Sequence, residues 1–147
     1  MHKVRNMVFK IVIVAVCLLV GHRSYAAQVA VIAHPSVQTE DFDKDLLFDI
    51  YKGDVRTWDD DTKIKVWDLS ERGEIRESFY EFLGKRPSRM KSIWMRKLLT
   101  GEGEPPEVSE SQEEMLENVI ATAGSIGYVD KELVDERVKL LLVIDEE

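Results

Sequence analysis

The sequence has 147 residues, with 20 Lys and Arg against 28 Asp and Glu, three His, one Cys and a formal net charge of −8. That length allows one hydrophobic core and leaves little room for a second. Residues 1–26 hold four bases and no acid, so residues 27–147 carry 16 bases against 28 acids, a balance of −12 that excludes a phosphate-backbone footprint for nucleic acid and argues against docking on an anionic membrane surface.

The chain opens with Lys3, Arg5 and Lys10, then the unbroken apolar run Ile11 to Val20, then Gly21 and the small-residue site Ser24-Tyr25-Ala26. A basic start, an apolar stretch and a small-residue cleavage site form the pattern of a secretory signal peptide. Ten apolar residues fall short of the roughly 20 that span a bilayer. The expectation is cleavage after Ala26, with residues 27–147 as the exported, periplasmic domain. Cys17 lies inside the apolar run, flanked by Val16 and Leu18, which is poor context for a lipid anchor. Residues 27–147 therefore contain no thiol, which excludes disulfides, thiolate metal sites and a cysteine nucleophile. His34 is their one histidine, so a multi-histidine zinc site is excluded too. No cofactor is expected.

Val29 to Ala33 is a short β-branched run closed by Pro35, read as a buried strand. Thr39, Glu40 and Asp41 mark a helix start. Phe42, Leu46 and Ile50 then recur on one face, and Gly53 stops the helix. The loop containing Asp59-Asp60-Asp61 reads as solvated; it lacks the glycine and distal glutamate of a calcium loop. Ile64 to Trp67 predicts a second strand. Asp68 and Glu71 stand in capping-box spacing and predict a helix with Ile75, Phe79, Phe82 and Leu83 on its apolar face, ended by Gly84. A third helix is expected from Pro87-Ser88, burying Met90, Ile93, Trp94 and Leu98. Gly101 to Pro106 reads as a loop, and Met115 to Ala123 as a fourth helix starting near Ser109 or Ser111. Gly124 and Gly127 are expected to turn the backbone into a strand through Tyr128, and Val138 to Ile144 reads as a last strand buried on both faces. Strands alternating with helices predict an α/β fold: a single lobe with a small, mostly parallel sheet flanked by helices.

Few residues point to chemistry. His34 follows the first strand, where open α/β sheets hold ligands, yet no Ser, Asp or Glu partner can be assigned to it. No carboxylate pair is placed as acid and base, and no phosphate-cradling glycine loop occurs, so no enzyme is expected. Trp58, Trp67 and Trp94 read as core. Lys85, Arg86, Arg89 and Lys91 form the one basic cluster, either a solvated helix start or a docking patch on an acidic protein. The turn from Asp68 to Glu74 precedes a helix whose free N–H groups can hold an anion. Ser70 and Arg72 or Arg76 could add donors there, whereas Glu71 and Glu74 oppose a negative ligand.

Several phrases in order then resemble a family. A strand ending in His34-Pro35-Ser36 is followed by a helix into Leu47-Phe48-Asp49-Ile50-Tyr51-Lys52-Gly53 and by Arg56-Thr57-Trp58. The chain continues with Ile64-Lys65-Val66, the helix of Phe79 and Leu83, Trp94, and Ala123-Gly124-Ser125-Ile126-Gly127-Tyr128-Val129. This run, over residues 29–144, resembles the phosphate-type substrate-binding proteins of ABC importers, with their "IF-x-G" and "PGAIGYV" phrases. The resemblance implies a periplasmic-binding-protein-like fold of about one lobe. It implies binding of phosphate or another small anion, through Ser36, Ser70, Arg72, Gly73 and Arg76, and a membrane transporter as partner. Gly73-Glu74-Ile75 stands where the family has its Ser-Gly-Thr run. The alternative reading is a module that keeps the fold, has lost the ligand and engages an envelope protein.

Overall fold

The structure is a computed structural model and describes residues 27–145; the signal-peptide reading of residues 1–26 lies outside them. Five strands form one open sheet in the order β3-β2-β4-β1-β5. They are β1 Val29–Ala33, β2 Lys65–Leu69, β3 Glu107–Ser109, β4 Ser125–Asp130 and β5 Lys139–Ile144. The helices are α1 Lys44–Lys52, α2 Glu74–Leu83, α3 Pro87–Thr100 and α4 Gln112–Ala121. Among the described residues no helix is long and apolar enough to cross a membrane.

The α/β lobe expected from the alternating pattern is present, and its sheet is mixed. Strands β3, β2 and β4 pair in parallel. The first strand, β1, lies between β4 and β5 and runs antiparallel to both. Four strands thus point one way and β1 the other. Flanked on both edges and covered on both faces, β1 is fully buried along its whole length. The expectation for the last strand does not hold. β5 is an edge strand, with Leu140 at 45% exposure, and its pairing with β1 slips between Val31 and Ile32 so that Leu141 is left over as a bulge.

Side chains alternate across a strand, so neighbours on β4 look to opposite layers. Tyr128 packs on Phe79 of α2 and Tyr51 of α1. Next to it, a side chain added at Gly127 would collide with Met115 and Val119 of α4. α4 therefore covers one face, and α1 and α2 the other. Gly127 does not turn the chain, since it sits in mid-strand without a positive φ; it is needed because α4 comes so close. Gly124 is the turn residue, at φ +75°, and a Cβ there would stand 2.5 Å from the Lys63 carbonyl oxygen. Gly124→Ala is expected to cost about 2–3 kcal/mol, read from urea denaturation. A midpoint unchanged from the natural protein would remove the turn assignment.

Helix ends follow local chemistry with some shifts. α1 begins after Asp43, whose carboxylate accepts from Leu46 N at 2.8 Å, so Thr39 to Asp41 stay outside it. Gly53, Gly84 and Gly101 end α1, α2 and α3 in left-handed geometry. Ser111 caps α4, accepting from Glu114 N at 3.1 Å. α3 buries Met90 and Trp94 but leaves Leu98 51% exposed, against expectation. Its buried Lys97 is instead the fourth inward position, paired with Asp54 Oδ1 at 2.6 Å. The indoles of Trp58 and Trp94 are buried and donate to the Gly124 and Tyr51 carbonyls, as core tryptophans should; Trp67 is half-buried.

Candidate functional site

The turn between β2 and α2 carries most of the sequence-predicted ligand residues. Ser70, Arg72 and Gly73 are exposed on it, and Arg76 is half-buried one turn into α2. Gly73 precedes the helix at φ +154° and gives no side-chain cap. Glu74 and Glu77 lie in the first turn of the helix, where acids favour the helix but repel an anion. Ser36 is elsewhere. β1 runs opposite to β2, with Ala33 opposite Ile126 and Val66 also opposite Ile126. Ser36 follows the end of β1, level with the start of β2, whereas Ser70 follows the end of β2. The length of β2 separates them, roughly 15 Å at about 3.3 Å per residue. Ser36 Oγ instead lies 2.7 Å from His34 Nδ1, closing a local turn.

Ser70 and Arg76 already have partners within the protein. Ser70 N and Ser70 Oγ both donate to the Ser109 carbonyl, at 2.9 and 3.3 Å. Arg76 Nε donates to the Leu69 carbonyl at 2.6 Å. Its Nη2 lies 3.7 Å from Asp68 Oδ2, and its guanidinium sits 5.0 Å over the Tyr80 ring.

Asp68 is the centre of this arrangement. Its capping-box spacing with Glu71 predicted a helix start, but it is the fourth residue of β2, and Gly73 takes the cap position. Strand alternation aims Asp68 at the layer of α1 and α2. There it is an internal anion with a full set of donors: Tyr128 O–H to Oδ1 at 2.7 Å, Tyr80 O–H to Oδ2 at 2.7 Å, and Leu69 N at 2.9 Å. Behind it Tyr128 stacks on Phe79, with centroids 3.7 Å apart and planes 5° apart, and Tyr51 meets Phe79 edge-on at 4.9 Å. Burial first, and the Asp68 charge second, hold Tyr51, Tyr80 and Tyr128 well above the ordinary phenol range. These hydroxyls are donors and are not available as bases.

The sequence signal for Asp68 was an alternation of Val66 and Asp68 against Trp67 and Leu69, which the local capping pattern masked. Tyr80 and Tyr128 gave no signal, because their meeting with Asp68 depends on the sheet pairing. The Asp59 to Asp61 segment is a tight turn: Asp60 Oδ1 accepts from Thr62 N at 3.0 Å, Asp59 Oδ2 accepts from Glu40 N at 3.3 Å, and Asp61 has a φ of +64°.

An open cleft of about 630 Å³ runs along α2 to the start of α3, lined by Arg72, Arg76, Lys85 and Arg86 together with Glu77 and Glu81. Four cations on an acidic protein attract anions, and two carboxylates among them reduce the effect.

No protein-family profile matches the sequence, and a search of curated proteins finds no match. Solved structures do match. A phosphate ABC transporter substrate-binding protein with bound phosphate from Clostridium perfringens aligns at a TM-score of 0.64 and 20% identity, over 79% of this chain and 45% of its own. An ABC-type phosphate transport receptor from Vibrio cholerae gives 0.61 and 20%, over 79% and 46%. PstS from Borrelia burgdorferi gives 0.57 and 17%, over 78% and 47%. This chain spans less than half the length of those proteins. It has, over that span, the fold of the phosphate-type ABC transporter substrate-binding proteins.

Proposed function

We propose that the chain is an exported, non-catalytic module that keeps a solute-binding fold and acts by contact with an envelope protein, without holding phosphate. Export is supported by the basic, apolar and small-residue pattern of residues 1–26. The observation that carries the rest is Asp68, a carboxylate of this chain close before the β2–α2 turn that holds the Tyr80 and Tyr128 hydroxyls and has the Arg76 guanidinium 3.7 Å away. A second negative charge about 4 Å away would be repelled by roughly 4 kcal/mol at an effective dielectric near 20. One charged hydrogen bond returns about 1.5–3 kcal/mol, so no single N–H of α2 offsets the repulsion. Glu74 adds to it.

Titration calorimetry with inorganic phosphate near neutral pH tests this. The expected result is no saturable heat for the natural protein and none for Glu74→Gln, because removing Glu74 leaves Asp68 in place. Saturable phosphate binding by the natural protein would overturn the proposal. It would favour the small-anion reading, which the cations of the α2 cleft support.

A further inference from the structure

The two faces of α3 differ in what they meet. The inner face buries Met90, Trp94 and Lys97 against the body of the protein. The outer face is bare: Met95 is 49% exposed, Leu98 51% and Leu99 80%. These are three of the five large apolar side chains exposed among the described residues, and all three fall within one and a half turns.

The outer face also has a defined pattern. Ser88, Ser92, Met95 and Leu99 line a single shallow groove. Their spacing of four, three and four residues is that of the a and d positions of a heptad seam. The small serines leave room at the N-terminal half of the groove, and the two long apolar side chains project at the other end. Ser92 Oγ is bonded to the Ser88 carbonyl at 3.1 Å, so its hydroxyl need not be satisfied by whatever covers the groove. Of the four flanking e and g positions, Arg89, Lys91 and Arg96 are basic and the fourth is Leu98; all four are exposed. Such flanks decide which helix can lie in a seam.

The charge of the whole molecule points the same way. Residues 72–97 hold eight bases and three acids, a local excess of +5 on a domain whose balance is −12. A second copy of α3 would set arginine and lysine against arginine and lysine. An anionic lipid surface would attract this face and repel the remainder of the domain.

We infer that the outer face of α3 is a docking seam for an amphipathic helix of a partner protein, one with an apolar a/d stripe and acidic e/g flanks. This deepens the reading of the chain as an interaction module and rests on it.

The test uses residues 27–147 of the natural protein and two synthetic peptides of about three heptads, with leucine at a and d and either glutamate or lysine at e and g. Each peptide repels itself and so is free to bind. Fluorescence anisotropy should show the glutamate peptide binding at least about tenfold more tightly than the lysine peptide. Leu99→Glu should abolish that binding, and the paired change Lys91→Glu with Arg96→Glu should reverse the preference. All three positions are exposed, so circular dichroism should report an unchanged fold. Equal affinity for both peptides would overturn the charge assignment, and binding of neither would overturn the seam. Binding to phosphatidylglycerol vesicles in place of peptide would reassign the face to lipid. A sedimenting dimer abolished by Leu99→Glu would reassign it to a second copy. None of these outcomes depends on phosphate, so failure here leaves the calorimetric result to stand or fall separately.

Discussion

Above about pH 10 the protein is expected to lose stability steeply, by about 4 kcal/mol for each further pH unit. The tyrosines of the described residues are Tyr51, Tyr80 and Tyr128, and all three are held well above the ordinary phenol value of 10.0 by burial and by the Asp68 charge. In the unfolded chain they ionise near that ordinary value; in the folded protein they stay protonated. The folded state then binds more protons, and stability falls as pH rises. Their contribution is fully present below the unfolded value and is lost above it. Each such group contributes about 1.4 kcal/mol per pH unit to the slope, and three act together. Urea denaturation at points from about pH 9 to about pH 11.5 measures the slope. Tyr128→Phe should reduce it by about a third, whatever that change does to stability at neutral pH. A curve flat across this range would mean that the phenols ionise in the folded protein, and that the Asp68 network is open to water.

The largest single-residue loss is expected from Phe79→Ala. Phe79 is fully buried, stacked on Tyr128 and met edge-on by both Tyr51 and Tyr80. It is the hydrophobic floor beneath the Asp68 network and joins α1, α2 and β4. Truncation leaves a cavity walled by rings that cannot collapse into it without pulling their hydroxyls off Asp68 and off the Trp67 carbonyl. The expected cost is about 3–5 kcal/mol. Leu99→Ala, on the exposed face of α3, should stay within about 0.5 kcal/mol. Comparison of the two by urea denaturation decides it. A Phe79→Ala cost close to that of Leu99→Ala would mean that the aromatic layer does not hold the fold together.

What could be read in the sequence was what local chemistry determines. Gly53 and Gly84 marked helix ends because the left-handed cap admits few other residues. Pro87 marked a helix start because a first-turn position needs no N–H. The apolar run of β1 announced a buried strand. Its direction was not legible, since periodicity says which residues are covered and nothing about which strands lie alongside. β5 looked like a central strand for the same reason: an apolar edge strand and a buried one are spelled alike. β3 is three residues, two of them exposed, too short for any pattern. The candidate site divided along the same line. Ser70, Arg72, Gly73 and Arg76 are neighbours in the chain and were found together. Ser36 was linked to them only by family resemblance, and strand direction places it at the other end of the sheet. Asp68 was hidden because a carboxylate three residues before a glutamate spells a cap as well as it spells a half-buried hydrogen-bond acceptor.

The position of β1 has a consequence for how the molecule comes to exist. Among the described residues the first strand to be made, β1, is the one that needs the last, β5. Its partners are β4 and β5, and Gln28 beside it is bonded to Asp145, 117 residues further along the chain. Helices α2 and α3 close on short-range contacts and can form as the chain emerges. The central strand has no edge to join until β4 and β5 are available, and contacts of such span form slowly. A chain ordered in this way stays loose until β4 and β5 have been made. That order would suit the export proposed above, in which a chain is threaded through a membrane before it folds, and it makes the six-residue strand β5 the step that commits the sheet.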